Sequence, residues 1–442
     1  VKLPKSVFVF STLFILAFSS LHAGKYFILC EGNFGQANAS LWSIDESLQN
    51  IEGPLIWNAS SNPLGDVGQS LTLHDHTLYV VMNGSHEVRI IDLESDETHS
   101  GDIEIPESSP RFMAVHSESG LGYISSWGLG GLLVVNLENH AIVDTISLGA
   151  LPEEILIVEN EMFVSVPMRS DWSASNKILR IDLSGNTPEV THTYDVIDGP
   201  GAMAMIGDQL YVSSIYYNDA WETFSGTSRI DISDHSVTTL DHGFYTNYTA
   251  DINIIDGVAY RTFGNSIVPV NEDLSLNSAR AIGNISGIYS HSVANNNILI
   301  GSSDFVAPDL VSILSLDGQE IASFNVGALP SQIVYYSPDI VSADETIEVP
   351  STFSLGNNYP NPFNPSTSIP FSLEFSGDVR LSIYDIKGRI VANLIEDHLI
   401  GGEHISNWDG TNARGEAVSS GIYHAILYSN SQSSSIKLNL IK

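Results

Sequence analysis

A two-strand pattern recurs seven times along the chain at a step of roughly 45 residues, and it constrains the fold more than any other feature. Each copy has an apolar strand, a polar loop, a second strand ending in Asp or Asn, and a turn. The second strands end at Ile44-Asp45, Ile91-Asp92, Val135-Asn136, Ile181-Asp182, Ile230-Asp231, Val270-Asn271 and Leu316-Asp317. The strands before them carry Tyr26-Phe27-Ile28, Leu78-Tyr79-Val80, Gly122-Tyr123-Ile124, Met162-Phe163-Val164, Leu210-Tyr211-Val212, Val258-Ala259-Tyr260 and Ile298-Leu299-Ile300. A third strand also has seven copies: Gln69–Leu73, Arg111–Val115, Glu154–Val158, Ala202–Ile206, Asp251–Ile255, Ser290–Ala294 and Gln332–Tyr336. It is out of phase, because its first copy follows the first repeat and its last copy trails the seventh. The final copy then supplies the inner strand that the first repeat lacks, and joining the ends of a ring this way removes free sheet edges.

The segments are short and alternating, and no helical stripe of useful length interrupts them. A β-solenoid has a shorter period, and separate sandwiches would not share one Ile-Asp landmark. The expectation is an all-β chain: a seven-bladed β-propeller over residues 24–337, then a smaller domain. The landmark Asp needs only a structural role, since a strand-ending carboxylate accepts N–H bonds from the next turn.

At 442 residues, the chain exceeds one ordinary domain. Hydrophobic residues make up 43% and charged residues 16%, which supports a large core and excludes a disordered chain. Lys and Arg number 17 against 52 Asp and Glu, a net charge of −35. Such a surface repels phosphate backbones and anionic membranes, so no nucleic-acid partner is expected. It suits cations, solubility or a saline habitat.

Lys2 and Lys5 precede an apolar run from Val7 to Phe18, then Ser19-Ser20-Leu21-His22-Ala23. This is the layout of a secretory signal peptide, read as residues 1–23, with cleavage after Ser19 as the alternative. The run is too short to span a bilayer, and no transmembrane span is expected elsewhere. Cys30 is the only cysteine, so no internal disulfide forms. Its strand context and the missing basic neighbour mark it as a buried residue rather than a nucleophile.

Residues 338–352 are polar and acidic and read as a linker. Residues 353–442 carry six Lys or Arg and eight Asp or Glu, so nearly all of the acidity belongs to the ring. Pro360, Pro362 and Pro365 fall within six residues and preset the backbone as an extended lead-in loop. Strands are predicted over Ser368–Leu373, Val379–Tyr384, Arg389–Leu394, Gly402–Trp408, Ile422–Tyr428 and Ser434–Ile441, giving a small antiparallel β-sandwich.

Two resemblances follow. Glu31-Gly32-Asn33-Phe34-Gly35, Leu64 to Ser70, Ser109-Pro110-Arg111 and Leu148 to Glu153 resemble bacterial surface propellers of the YVTN kind, over residues 25–337. That resemblance implies an envelope or extracellular location and no established chemistry. The last ninety residues resemble the C-terminal sorting domain of type IX secretion substrates. The matching residues are Asn358-Tyr359-Pro360-Asn361-Pro362-Phe363-Asn364-Pro365, Ile383-Tyr384-Asp385, Gly388-Arg389, Trp408-Asp409-Gly410, Gly415, Ser420-Gly421-Ile422-Tyr423 and Lys437 to Lys442. This implies a secreted or cell-surface protein that passes through the periplasm. Its partners would be the outer-membrane type IX translocon and its sorting peptidase, with the passenger released or joined to an anionic surface polysaccharide. The Pro-rich loop, Gly388-Arg389, Gly421 and the terminal strand with Lys442 are candidate sorting-signal residues. Each also has a plain reading as turn or sandwich structure.

Propellers bind ligands where inner strands begin and loops converge. Gln69, Arg111, Glu153, Glu154, Asp251, His291 and Gln332 fall at that mouth. The set suits a small polar ligand or a cation, although each residue reads first as a solvated or hydrogen-bonded rim group. Trp127, Ser170-Asp171-Trp172 and Tyr216 to Trp221 put aromatics and acids on loops, the latter two in the two longest inter-strand loops. Exposed aromatics on a rigid scaffold stack on sugars or contact proteins, and loop packing is the alternative. His74 and His76 can share a strand face, but a metal site needs further ligands. Gly-x-Ser-x-Gly, His-Glu-x-x-His and P-loop signatures are missing. Two functions compete: a non-catalytic propeller that binds a glycan, protein or envelope component, and a lactonase-like propeller hydrolase with Ca2+ held by acids at the mouth. Arg111 in the same ring counts against the cation site, so no catalytic residue, metal or cofactor is assigned.

Overall fold

The computed structural model describes residues 24–338, apart from 56–63, 95–97 and 186. It also describes residues 353–441, apart from 357, 374–376, 386, 388, 400–401, 413, 415–416 and 430–431. The signal-peptide reading, nearly all of the linker, Gly388, Gly415 and Lys442 lie outside the described residues.

Seven antiparallel sheets follow one another from Lys25 to Tyr336. Blade 2 shows the plan, with strands Gly68–His74, Thr77–Met82, Glu87–Asp92 and Thr98–Glu104 in spatial order. Blade 1 is built from both ends of the ring, as the phase offset predicts. Its inner strand, Pro330–Tyr336, pairs with Lys25–Cys30, with Lys25 opposite Tyr336 and Ile28 opposite Ile333. Blade 6 keeps three strands, Ile252–Ile255, Val258–Phe263 and Ser266–Pro269. Its outer edge carries the 3-10 turn Ser278–Arg280 and a bridge from Ile267 to Ile282.

Alternation places every second side chain between neighbouring blades, so the core is seven apolar layers rather than one. The layer between blades 1 and 2 holds Phe27, Leu29, Leu78 and Val80. The layer that closes the ring, between blades 7 and 1, holds Tyr26, Ile28, Cys30, Leu299, Val311 and Ile333. Cys30 is fully buried there, and burial pushes its thiol up to about 12, which makes it inert at neutral pH. The landmark acids cap turns: Asp45 accepts the N–H of Gln49 at 3.1 Å, Asp182 that of Ser184 at 2.8 Å and Asp231 that of Ser233 at 2.9 Å. Against burial, side-chain bonds from Asn50 and Ser47 together with the N–H bonds hold Asp45 down at about 2, and side-chain bonds from Ser233 and Gln209 do the same for Asp231. His74 and His76 do not act together, because His74 lies by Asp75 while His76 bonds the Tyr336 hydroxyl and meets Glu94.

The tail forms two sheets. Ser354–Leu355, Thr367–Leu373 and Gly402–Trp408 make one; Ile390–Leu399, Gly377–Asp385, Gly421–Ser429 and Gln432–Leu440 make the other. Phe363, Phe371, Leu381, Trp408, Leu427 and Leu438 fill the space between them. The Pro-rich segment is bent, not extended. Asn358 bonds the Pro360 carbonyl and the Thr367 hydroxyl, and Phe363 turns inward to lie 5.5 Å from the Trp408 ring. Burying that phenyl ring favours the bend over an open lead-in.

Candidate functional site

A cavity of about 450 Å³ opens where the inner strands begin. Gln69, Arg111, Glu153, Glu154, Asp251, His291 and Gln332 all line it. Glu31, Tyr248, Thr249 and Tyr289 also line it. Glu31 follows the second strand of blade 1 and the other three precede or begin inner strands, so a search by strand position alone passes over them. The piece Glu31-Gly32-Asn33-Phe34-Gly35, which carries the propeller resemblance, was the available signal.

Arg111, on Pro110–His116, is the organising charge. Its Nε donates to both Glu153 oxygens at 3.1 and 2.9 Å, Nη2 donates to Glu153 at 2.6 Å, and Nη1 reaches Gln69. Its guanidinium lies 4.2 Å from the Trp127 ring centre, a cation–π stack. Trp127 therefore backs Arg111 instead of lining the cavity.

Inner strands of adjacent blades do not pair, so side chains stitch them. Gln332 Oε1 accepts the Leu71 N–H at 2.5 Å. Met203 N–H donates to Glu154 at 3.4 Å, and His291 N–H donates to Asp251 at 2.8 Å. Gln332, Glu154 and Asp251 thus hold the ring as well as face its opening. Among the described residues, each of these acids has only a backbone donor, and each sits in a desolvated place. Burial first, and then the Asp251 charge, push Glu154 up to about 8, while burial pushes Asp251 up to about 7. Burial also raises Glu31, against the Tyr289 hydroxyl that donates to it at 2.5 Å and the charge of Arg111. His291 is buried, bonds Thr262 through Nδ1 at 2.9 Å, and is held neutral, down at about 3. Among the described residues, no three His, Cys, Asp or Glu side chains converge as ligands for one metal ion.

Exposed aromatics gather on the same face. Trp172 stands edge-on to Trp127 at 5.7 Å, Tyr217 lies 6.2 Å from Trp221, and Tyr248 meets Phe305 at 4.5 Å. The segments around Trp172 and Trp221 are not the long loops expected. Glu161–Arg169, Ala174–Asp182, Gln209–Tyr217 and Thr223–Asp231 are nine-residue strands that shrink the loops to tight turns. Ladder pairing as far as Tyr217 opposite Thr223 accounts for this.

In the tail, the Pro-rich bend and the last strand form one surface. Phe363 N–H bonds the Asn439 carbonyl at 3.0 Å, and Asn361 bonds the backbone of Lys437 and Asn439, each at 3.0 Å. Tyr359 is exposed, as are Pro360, Pro362, Asn364 and Pro365. Gly421 is exposed and pairs with Leu440. Arg389 is exposed and held by Asp385 at 2.7 Å.

The ring and tail together define an exported propeller. Residues 357–442 match the family of secretion system C-terminal sorting domains, the tail that marks cargo of the type IX route to the cell surface or beyond. No curated protein matches the chain. In structure it is similar to a protein from Lactobacillus plantarum, with TM-score 0.54, 13% identity, and 71% of this chain and 99% of that one covered. A functionally unknown protein from Desulfotomaculum acetoxidans DSM 771 is similar to the same extent, with TM-score 0.53, 11% identity and the same coverages. At these identities the likeness concerns fold alone. Among the described residues, no helix is long and apolar enough to cross a membrane.

Proposed function

We propose that the propeller, residues 24–337, is a non-catalytic surface module that binds a glycan at its channel mouth. The supporting observation is a polar cavity lined by Tyr248, with exposed Trp172, Tyr217 and Trp221 at turn tips of the same propeller face. Flat aromatic faces stack on the C–H faces of sugar rings, and paired acids, amides and hydroxyls bond their hydroxyl groups. The lactonase-like alternative needs several ligands closing on one ion. Here Glu153 is taken by Arg111, and Glu154 and Asp251 carry backbone bonds.

In this reading residues 1–23 direct passage across the inner membrane, and residues 353–442, joined through 338–352, are read by the translocon and its sorting peptidase. The Pro-rich bend with Arg389, Gly421 and the last strand forms the face that is read. A glycan array probed with the exported protein and with W172A/W221A tests the binding role. Retention of glycans by the native chain and their loss in the variant is the expected result. No retention by the native chain overturns the reading.

A further inference from the structure

We infer that the glycan is built of amino sugars, with ammonium groups seated against the carboxyls of the mouth and ring faces laid on the aromatic turn tips. This rests on the glycan reading and adds the ligand's charge.

The first observation is backbone strain spent on exposed aromatics. Trp172, Trp221 and Phe305 sit at turn tips of blades 4, 5 and 7 with φ of 66°, 60° and 70°. That region favours Gly or Asn, and a bulky side chain there is disfavoured. Burial does not compensate, since the three side chains are 64%, 82% and 40% exposed. Ring contacts to Trp127, Tyr217, Tyr248 and Tyr289 still leave the three exposed, and strain kept at exposed rings suits positions held for contact with something else. All three tips connect the second and third strands of their blades, which places them on the face where inner strands begin and the cavity opens.

The second observation is the charge beside each ring. Asp171 precedes Trp172, Asp304 precedes Phe305, and Asp219 and Glu222 bracket Ala220-Trp221. Ser173 donates N–H and O–H to Asp171, holding that carboxyl below its ordinary range and hence ionised. An aromatic face with a carboxylate beside it matches a sugar ring that carries an ammonium group.

The third observation lies in the cavity. Its lining holds four carboxyls, Glu31, Glu153, Glu154 and Asp251, against one cation, Arg111. Arg111 is engaged by Glu153 on both oxygens. Among the described residues, Glu154 and Asp251 have no cationic partner, only N–H donors, and His291 beside them is neutral. Burial keeps protons on both acids near neutral pH, a seated ammonium displaces them, and Tyr248 and Tyr289 line the same cavity. The net charge of −35 attracts a cationic chain and repels an anionic one from a distance.

The test is calorimetric titration of the full exported chain with hexamers of β-1,4-linked glucosamine, N-acetylglucosamine and glucose at neutral pH. The glucosamine hexamer is expected to bind about tenfold more tightly than its acetylated counterpart, a difference of about 1.4 kcal/mol. Its binding should release protons from the cavity, read as a heat that changes with the ionisation enthalpy of the buffer. E154Q/D251N should narrow the preference and abolish the proton release. W172A/W221A should weaken all three hexamers. Equal affinities for the three overturn the amino-sugar inference and leave the glycan reading standing. No binding of any hexamer overturns both. Glucosamine binding unchanged in W172A/W221A, or displaced equally well by a linear polyamine, shows unspecific attraction and also overturns the inference.

Discussion

Replacing Arg111 by Met strands a carboxylate in the mouth, and the cost follows from the geometry. The Arg111 and Glu153 side chains are only 17% and 15% exposed, and their contact at 2.6 Å is part of a two-sided grip. Removing one partner of a buried pair costs about 3–5 kcal/mol, and this residual exposure favours the lower end. The stack on Trp127 adds about 0.5–1 kcal/mol. A total near 3–4 kcal/mol lowers the melting midpoint of a ring of this size by roughly 4–6 °C, at about 2.1 cal/mol/K of unfolding entropy per residue. The second change, E153Q, removes the stranded charge. R111M/E153Q should recover about 2 kcal/mol of the loss, a coupling well above the additivity error of about 0.5 kcal/mol. Urea unfolding of the full chain, with the tail transition as an internal reference, gives the four corners of the cycle. A coupling below about 0.5 kcal/mol would refute the claim that the pair organises the mouth.

The ring closure is tested by I333A, which empties a buried position in the layer between blades 7 and 1 and should cost about 2–5 kcal/mol. An unchanged midpoint would show that the last inner strand is dispensable. Stability should also fall as pH rises from the ordinary carboxyl range towards 8. Glu154 and Asp251 titrate at about 8 and 7 when folded, so the native state keeps protons that the unfolded chain has already lost. Their contribution is full below the unfolded values and disappears as pH passes the folded ones. D251N should therefore flatten the profile, and an unchanged slope would contradict the assignment. In the tail, F363A removes a buried ring and should unfold the sandwich at a cost of about 3–5 kcal/mol. R389A should leave the tail folded and impair export if Arg389 lies on the recognised face; normal surface delivery of R389A, measured by protease accessibility on cells, removes it from that face. Deleting 353–442 should abolish delivery altogether.

Much of the fold was legible in the chain because a propeller writes the same local chemistry once per blade. The Ile-Asp landmark recurs because each second strand must end and turn at the same place, as the N–H bonds to Asp182 and Asp231 show. The displaced third strand, from Gln69 to Gln332, announced the joining of the ends. The Pro-rich segment misled because proline restricts φ without choosing the direction of the chain. Burial of Phe363 against Trp408, which lies far along the chain, made that choice. The turn lengths near Trp172 and Trp221 were overestimated because polar residues in an extended hairpin look like loop residues until their partners across the ladder are known.

What the sequence alone determined was periodic or local: seven sheets, their phase, the sorting tail and which residues begin the inner strands. Tertiary structure decided what those residues do to one another. Glu31 reaches the cavity from another strand position, Arg111 grips Glu153 at the cavity wall, and Glu154 feels the charge of Asp251 from nearly a hundred residues away along the chain. Strand periodicity depends on neighbours within a blade, whereas charge pairing and desolvation depend on distances that exist only once the ring has closed.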